Sequence, residues 1–329
     1  MINDGIININ KGQNMTSHDV VGRVRKILNM KKVGHTGTLD PMATGVLPIC
    51  IGRATRIIEY LDLDLKGYLC TMKLGIDTDT MDAWGNEIAR ADEAAVNAVS
   101  EDDVTEAFMD FIGPVSQIPP AYSAIKVNGK RLYDYARSGQ EVDVPSRDVY
   151  ITNLDIEEMH LNEGYDTSIT FYVECTKGTY IRSICHDAGE LMGVHGMMTA
   201  LERTDSGVFS VENAVTLDEL AAMKEDELEE IIHPAYAPLI HFGEIEVNEY
   251  DAMRLVNGLP VWVSHCNMLR RPEYEMKSFL IDLREEYRRA YNVFGLMEEG
   301  RKFIGVVFTD DTVENVTPVK IFYDGGQKD

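Results

Sequence analysis

The feature of this chain that most constrains its fold is a pair of segments in which apolar residues recur at every second position. The first runs from Tyr68 to Leu74 and the second from Ile169 to Cys175, with mostly polar residues between the apolar ones. A period of two residues is that of a β-strand with one buried face. The two segments therefore predict two strands of one mixed sheet.

Helical spacing appears on either side of these strands. Thr16 and Ser17 precede apolar residues at Val20, Val21, Val24, Ile27 and Leu28, which predicts a capped amphipathic helix. After a turn at Lys177-Gly178, Thr179 is expected to cap a second helix with Arg182 in its first turn. The N-terminus of a helix attracts anions. Strands and helices together predict an α+β fold with a central mixed or antiparallel sheet.

One loop carries an isolated carboxylate. In the segment Gly34 to Ala43, glycines permit unusual backbone torsions, and Pro41 pushes Asp40 out of the helical region. Asp40 is the only acid between Val20 and Ile58, in a chain whose formal net charge is −24. The basic residues of that segment are Arg23, Arg25, Lys26, Lys31, Lys32, Arg53 and Arg56. Asp40 either caps a turn, as polar residues beside Gly and Pro commonly do, or serves chemistry on a phosphate-rich partner.

Composition limits the class of protein. With 329 residues and 44% hydrophobic content, the chain can bury a large core and a smaller one. It has no run of about 18 apolar residues and no signal-peptide pattern, so a cytoplasmic protein without a membrane span is expected. The five cysteines form no C-x-x-C pair. This argues against a zinc site, and for Cys185-His186 helix packing is favoured over metal binding.

Five blocks of sequence, in order, resemble the TruB family of tRNA pseudouridine synthases. The first is Gly34 to Ala43, followed by Thr44-Gly45-Val46-Leu47-Pro48. The others are Lys66-Gly67-Tyr68 with Thr78-Asp79-Thr80-Met81-Asp82, Pro119 to Lys126, Lys177 to Arg182, and Leu201-Glu202-Arg203-Thr204. The resemblance extends from about Gly5 to Leu217. Five blocks in the same order are far more specific than one short motif.

The resemblance implies a role for each of six residues. Asp40 matches the catalytic nucleophile, and Arg182 matches the arginine that pairs with it. Tyr68 matches the tyrosine that stacks on the target uracil, while Tyr180 and Leu201 match residues lining the same pocket. His35 matches the histidine that helps fill the space that the flipped base leaves. Without the resemblance, Tyr68 would read as a core residue of its strand, and Arg182 as a surface or phosphate-binding arginine.

The implied function is isomerisation of uridine to pseudouridine at position 55, in the T arm of tRNA, by base flipping. The reaction needs neither cofactor nor metal, and whether the carboxylate attacks C1′ or C6 stays open. We expect a monomer that binds tRNA without an obligate protein partner. Two alternatives remain: an RNA-guided synthase of the dyskerin type, and a non-catalytic tRNA-binding protein. The short C-terminus and the retention of Asp40 with Arg182 speak against them.

The domain boundary is expected near residue 240, giving a catalytic domain over 1–240 and a C-terminal domain over 241–329. Leu217 to Ile232 predicts an acidic helix. Short strands are predicted at Leu255–Pro260, Val293–Leu296, Phe303–Phe308 and Val319–Tyr323, and loosely resemble the PUA-like RNA-binding barrel of bacterial members. Mixed charges over 270–289 suggest a charged surface element more than an RNA-binding insertion. Acidic runs elsewhere lie on solvated faces and leave a local basic groove intact.

Overall fold

The computed structural model describes residues 4–63, 65–123, 125–140, 142–273 and 285–323. The strands, in chain order, are β1 Gly5–Lys11, β2 Val33–His35, β3 Thr44–Ile51, β4 Lys66–Leu74, β5 Ile76–Thr78, β6 Glu87–Arg90, β7 Gly113–Gln117, β8 Lys126–Val127, β9 Lys130–Arg131, β10 Arg147–His160, β11 Ser168–Cys175, β12 Gly196–Ser206, β13 Phe209–Ser210, β14 Ile232–His233, β15 Gly243–Asn248, β16 Val261–Trp262, β17 Asn267–Arg270, β18 Ala290–Met297, β19 Gly300–Thr309 and β20 Asn315–Ile321. The helices are α1 Ser17–Ile27, α2 Glu93–Ala98, α3 Glu101–Met109, α4 Leu132–Arg137, α5 Ile181–Leu191, α6 Leu217–Ala222, α7 Glu225–Ile231 and α8 Glu249–Val256. Turns of 3₁₀ helix cover Gly52–Leu63, Gly164–Asp166, Val211–Asn213, Val263–His265 and Glu285–Arg289.

The larger sheet runs in the order β14-β1-β3-β12-β4-β11-β10-β7, with β13 beside β12 and β2 beside β3. Its pairs are antiparallel except that β12 runs parallel to β3. The two alternating segments predicted as strands are β4 and β11, and they are direct neighbours, with Tyr68 opposite Val173. The sequence-based prediction of an α+β fold with a mixed sheet is therefore confirmed.

The first predicted helix is confirmed as α1, where Thr16 and Asp19 form a reciprocal capping box. The cap of α5 was predicted wrongly. Tyr180 is its N-cap residue, whereas the Thr179 hydroxyl donates to the Thr176 carbonyl. The amide side chain of Gln117 instead accepts from the backbone N–H of Tyr180 at 2.9 Å and donates to its carbonyl at 3.2 Å. A distant side chain thus replaces the local cap.

Two further predictions of elements were wrong. The acidic segment predicted as one helix forms two, α6 and α7, because the backbone of Met223 is extended and ends α6. Leu255–Pro260 was predicted as a strand, but Leu255 is a buried residue near the end of α8, and Gly258 turns the chain with a φ of 78°. Short apolar runs do not distinguish a strand from the last turn of a buried helix.

A second sheet, in the order β16-β20-β19-β18-β15-β17, begins at Gly243. The predicted strands at Val293–Leu296 and Phe303–Phe308 are confirmed within β18 and β19, and Val319–Ile321 within β20. The charged segment predicted over 270–289 lies largely outside the described residues. The division at residue 240 stays a prediction.

The core has three parts. The largest lies under the first sheet and includes Ile7, Leu47, Tyr68, Leu201 and residues of α1 and α5. Because β1 and β3 alternate, Ile6 and Val46 point to the opposite face, where Phe242 and Tyr287 cover them. The third part lies within the second sheet. The middle cluster joins the two sheets by apolar packing, which stabilises roughly in proportion to the area buried.

Candidate active site

The loop between β2 and β3, which contains Asp40, is fixed from below by α1 and β1. The hydroxyl of Ser17 accepts from the N–H of Leu39 at 2.8 Å. The ammonium of Lys11, at the end of β1, donates to the carbonyls of Pro41 at 3.1 Å and Ala43 at 2.6 Å. These bonds hold the backbone on both sides of Asp40 and leave its side chain to face outward.

Arg182 lies opposite Asp40 and joins three segments. Its Nε is 3.0 Å from Oδ2 of Asp40, and its Nη1 is 3.5 Å from Oδ2 of Asp82 in the turn between β5 and β6. Nη1 also donates to the Thr80 carbonyl at 2.9 Å, and Nη2 donates to the Tyr122 carbonyl at 3.1 Å. The guanidinium is buried, with 5% of the side chain exposed, whereas Asp40 is 39% exposed. A fixed cation therefore meets a carboxylate that is open to solvent on one side.

Opposing effects act on the carboxyl of Asp40. Loss of water raises its pKa, Arg182 and Lys11 lower it, and Asp82 raises it again. The net result is a pKa above the ordinary value of an aspartate. Lys11 is affected in turn: burial lowers its pKa to about 8, although Asp40 opposes that shift. A carboxylate that has lost part of its hydration and lies beside a positioned arginine is a reactive group, since less water must be displaced when it attacks.

Apolar and aromatic side chains form the wall beside this carboxylate. Tyr68 on β4 and Leu201 on β12 are both 9% exposed and belong to the same core cluster as Leu39. Burial raises the pKa of the Tyr68 phenol, and Arg203, its partner across the β4–β12 pair, lowers it. Tyr68 lies close enough to Asp40 for the carboxylate to act on its pKa, and Leu201 belongs to the same apolar cluster.

Tyr180 and His35 complete the predicted set. Tyr180, half-buried at the start of α5, lies close enough to Asp40 and Arg182 for both to act on its pKa, which burial raises. His35 ends β2 opposite Ile49, and burial, with His18 and Arg203, lowers its pKa. The structure thus places Tyr68, Tyr180 and Arg182 near Asp40, while Leu201 belongs to the core cluster that includes Leu39. His35 lies at the other end of the same loop, at the end of β2.

Sequence reasoning missed three charged residues of this site. Asp82 was noted within a motif but given no role, although it shares Arg182 with Asp40. Lys11 is fully buried at the end of an apolar strand. Its position after an apolar run could have been noticed in the sequence, because lysine is seldom buried without a partner. Arg203 is 1% exposed and donates to the carbonyls of Val46 at 2.6 Å and Gly37 at 3.3 Å.

The residues give no converging set of metal ligands. Cys185 faces Cys70, with the sulfur atoms 3.6 Å apart, while His186 faces Asp187 and Asp77. Within the part of the chain that is described, no three His, Cys, Asp or Glu side chains cluster as a metal site would require. None of the described helices has the length and apolar character of a membrane span.

Comparison with known proteins agrees with this geometry. Residues 25–181 match the TruB family pseudouridylate synthase N-terminal domain, and residues 182–239 match the tRNA pseudouridylate synthase B C-terminal domain. A tRNA pseudouridine synthase B of Clostridioides difficile is 47% identical, covering 77% of this chain and 82% of that protein. One of Clostridium kluyveri is 38% identical, covering 94% of this chain and 96% of that protein.

A solved structure extends the likeness to the fold. The chain resembles a structure titled as a Cbf5-Nop10-Gar1 complex, with 26% identity, a TM-score of 0.68, and coverage of 97% of this chain and 84% of that one. The chain belongs to the TruB family of pseudouridylate synthases.

Proposed function

We propose that this chain converts uridine to pseudouridine at position 55, in the T arm of tRNA, with Asp40 as the nucleophile. The observation that carries the proposal is the contact of 3.0 Å between Arg182 and Asp40, on a loop that Lys11 and Ser17 hold in place. The similarity to synthases named for tRNA supports the choice of substrate.

The reaction fits a site in which the carboxylate of Asp40 lies beside a wall of aromatic and apolar side chains. The N1–C1′ bond of uridine breaks, the uracil turns, and C5 bonds to C1′. C5 loses a proton and N1 gains one, so no atom is added and no electrons are exchanged. The carboxylate of Asp40 would act as the covalent partner at C1′ or at C6. The buried Arg182 keeps that carboxylate ionised, and no cofactor is required.

The wall beside Asp40 would receive the flipped base. Enzymes that act on a base within folded nucleic acid extrude it and hold it against aromatic or apolar surfaces. Tyr68 would stack on the uracil, Tyr180 and Leu201 would close the pocket, and the detached ring would stay between them. His35, at the far end of the loop, would fill the space that the base leaves in the RNA.

The rest of the chain would bind the RNA backbone. Lys26 in the last turn of α1 and Lys31 and Lys32 just before β2 are exposed, whereas Arg23 is paired with Asp218, and Arg53 with Asp4. The C-terminal sheet would act as a PUA-like domain over 241–329. We propose a cytoplasmic monomer that needs no obligate protein partner.

A direct experiment is to incubate the purified protein with an unmodified tRNA transcript and map pseudouridine at each uridine. The proposal expects modification at position 55 of the T arm and nowhere else in the transcript. A transcript with uridine 55 replaced by cytidine is the matched control. Modification only at another site would disprove the assignment of the substrate position.

An RNA-guided reaction is the second candidate, because one solved structure of similar fold is an H/ACA RNP bound to a substrate RNA and another is a Cbf5-Nop10-Gar1 complex. The two candidates differ in what must be added. A stand-alone enzyme modifies the transcript by itself, whereas a guided enzyme stays inactive until a guide RNA and accessory proteins are supplied. The stronger identity to tRNA pseudouridine synthase B favours the stand-alone enzyme.

A further inference from the structure

Two charged contacts, one helical turn apart, hold the hairpin of β5 and β6 against α5, and between them the Ser183 hydroxyl donates to the Met81 sulfur at 3.9 Å. At the first point, Arg182 contacts the Thr80 carbonyl and the Asp82 carboxylate. At the second, Nε2 of His186 lies 3.5 Å from Oδ2 of Asp77 on β5. Residues four apart share one face of a helix. The face that carries the arginine of the site therefore also carries a histidine to the same hairpin.

Asp77 is a buried carboxylate that depends on this histidine. The residue is 8% exposed, and its Oδ1 has no hydrogen-bond partner among the described residues. A buried carboxylate is costly unless a cation or hydrogen-bond donors compensate for the lost water. His186 is the cationic side chain that the structure places beside it.

The surroundings of His186 favour its charged form. Nδ1 lies 3.0 Å from Oδ1 of Asp187, so both ring nitrogens face carboxylates. A neutral imidazole has one N–H to offer, whereas the imidazolium has two. The hydrogen bond to Asp187, then Asp77 and Glu190, raise the pKa of His186 against the effect of burial.

β12 and β4 also pack against α5, and their charged residues are Glu202, Arg203, Asp205, Lys66 and Lys73. Arg203 donates to the carbonyls of Val46 and Gly37, Lys66 to the Ser206 hydroxyl, and Lys73 to Asp166.

Further charged groups lie at the two ends of α5. Arg182 at the start of the helix is occupied by Asp40 and Asp82. At the far end, α3 and the residue after it bring Asp103, Glu106 and Asp110 to a pocket beside Leu191 and Met192. Glu190 is paired there with His195. β4 contributes the thiol of Cys70 next to Cys185.

We infer that His186, in its protonated form, is a positioning residue for pseudouridine formation. Its ion pair with Asp77 fixes the hairpin on α5, so that Asp82 stays on Arg182 and Arg182 stays on Asp40. This inference rests on the proposed function. Because the pair is lost when the imidazole loses its proton, the rate of the chemical step falls as the pH rises through the pKa of His186, while tRNA affinity is unchanged.

The test uses His186→Gln, Asp77→Asn and the double variant. His160→Gln is the matched control, because His160 is an exposed histidine paired with Glu158 at 3.0 Å on β10. Single-turnover rates and tRNA dissociation constants are measured from mildly acidic to mildly alkaline pH, so that the range begins below the ordinary pKa of a histidine. The imidazole of His186 is titrated by NMR in the wild type and in Asp77→Asn, and its signal is assigned by its loss in His186→Gln.

In the wild type, we expect an alkaline fall in rate whose midpoint coincides with the titration of His186. Each single variant should lose about 10- to 100-fold in single-turnover rate at neutral pH and lack that fall, since small displacements of reacting groups carry such losses. The double variant should be no slower than either single one, because both remove the same pair. A separate fall in rate, caused by deprotonation of Lys11 with its pKa of about 8, should persist in the wild type and in all three variants.

The possible failures are distinguishable. If the wild type forms no pseudouridine, the proposed function is wrong. If the wild type is active and His186→Gln keeps both its rate and its alkaline fall, or loses tRNA affinity instead, the inference is wrong. If His186→Gln does not fold, Asp77→Asn decides, since an unchanged rate and an unchanged alkaline fall in that variant would also overturn the inference.

Discussion

Asp40 is held in a position that favours chemistry over stability. Loss of water raises its pKa, and the nearby arginine only partly offsets the effect. Above a raised pKa, an ionised carboxylate is less stable in the folded protein than in the unfolded chain. Functional groups of this kind commonly lower the stability of the fold that carries them.

Replacing Asp40 by asparagine should separate the two effects. Pseudouridine formation should fall below about a thousandth of the wild-type rate, the scale of covalent-catalyst deletions, because the amide is no nucleophile. The melting temperature at neutral pH should stay equal or rise, and this gain should shrink as the pH falls from the raised pKa of Asp40 to its ordinary value. Calorimetry checks the stability. A clear loss of stability at neutral pH would contradict the argument, and turnover above that limit would remove Asp40 from the role of nucleophile.

Arg182 should set the acid side of the pH profile. The nucleophile must be ionised, so the single-turnover rate falls as the pH drops through the pKa of Asp40. Since Arg182 lowers that pKa, Arg182→Met should move the acid limb to higher pH and reduce the maximum rate. Arg182→Lys keeps the charge and should move the limb less. Identical acid limbs in all three proteins would show that Asp40 does not control the reaction.

The sequence was sufficient to predict a contact between two residues with matches in the family motifs. It was insufficient for residues whose contacts depend on the packing of distant segments. Asp40 and Arg182 were expected to pair, and their side chains do. Asp82 and Arg203 lie in two other blocks of the resemblance, but their contacts depend on how a hairpin and two neighbouring strands pack. No local pattern encodes that arrangement.

At the scale of elements, the active-site loop depends on the end of β1. The ammonium of Lys11 donates to the carbonyls of Gly12, Pro41 and Ala43, which ties the strand to the loop. A buried carbonyl that loses its donor costs about 1–3 kcal/mol. The ammonium of Lys11 thus fixes the loop through its backbone carbonyls. Among the described residues, it forms no ion pair with the side chain of Asp40.

Lys11→Met should therefore weaken both the fold and the site. We expect a fall in the free energy of unfolding, because the orphaned carbonyls cost more than is regained by removing a buried ammonium whose pKa is lowered to about 8. The rate of pseudouridine formation should drop as well, because the loop around Asp40 loosens. Urea unfolding measures the first effect. Lys31→Met, at an exposed position, is the control, and equal stability of the two variants would refute a structural role for Lys11.

Alternation and capping were reliable for β4, β11 and α1, since a single buried face determines each pattern. The same reasoning failed at Tyr180, where Gln117 from a distant strand binds the start of α5. It also failed at Leu255, where a strand was predicted. This residue lies near the end of α8 and is buried in the third part of the core, within the second sheet. At both points, contacts with residues distant in sequence outweighed the local propensity.

At the scale of the whole molecule, the charge is uneven. The chain carries a formal net charge of −24, and acids fill the first turns of α3 and α7. Lys31 and Lys32, beside β2, are exposed. At physiological salt, charges beyond roughly 8 Å are largely screened, so RNA would sense the local basic surface more than the total charge.

Lys31→Glu with Lys32→Glu should weaken tRNA binding and flatten its salt dependence, by about one unit of slope for each lost phosphate contact. Glu101→Gln with Asp102→Asn is the control on the acidic side. Asp103 is left unchanged there, because it forms the capping box of α3 with Ser100. Binding measured over a range of salt concentrations compares the pairs. Equal slopes would place the RNA elsewhere, most plausibly on the C-terminal sheet.

The parallel pairing of β3 with β12 has a consequence for biosynthesis. Arg203 bonds to Gly37 across 166 positions, and Arg182 reaches Thr80 across 102. Contacts between such distant segments form late, because a long loop must close before they contribute. A ribosome-bound nascent chain would therefore carry β1 to β4 without their central partner until residue 206 has emerged. During that interval the unpaired strand edges are exposed, and the emerging protein depends on protection from aggregation.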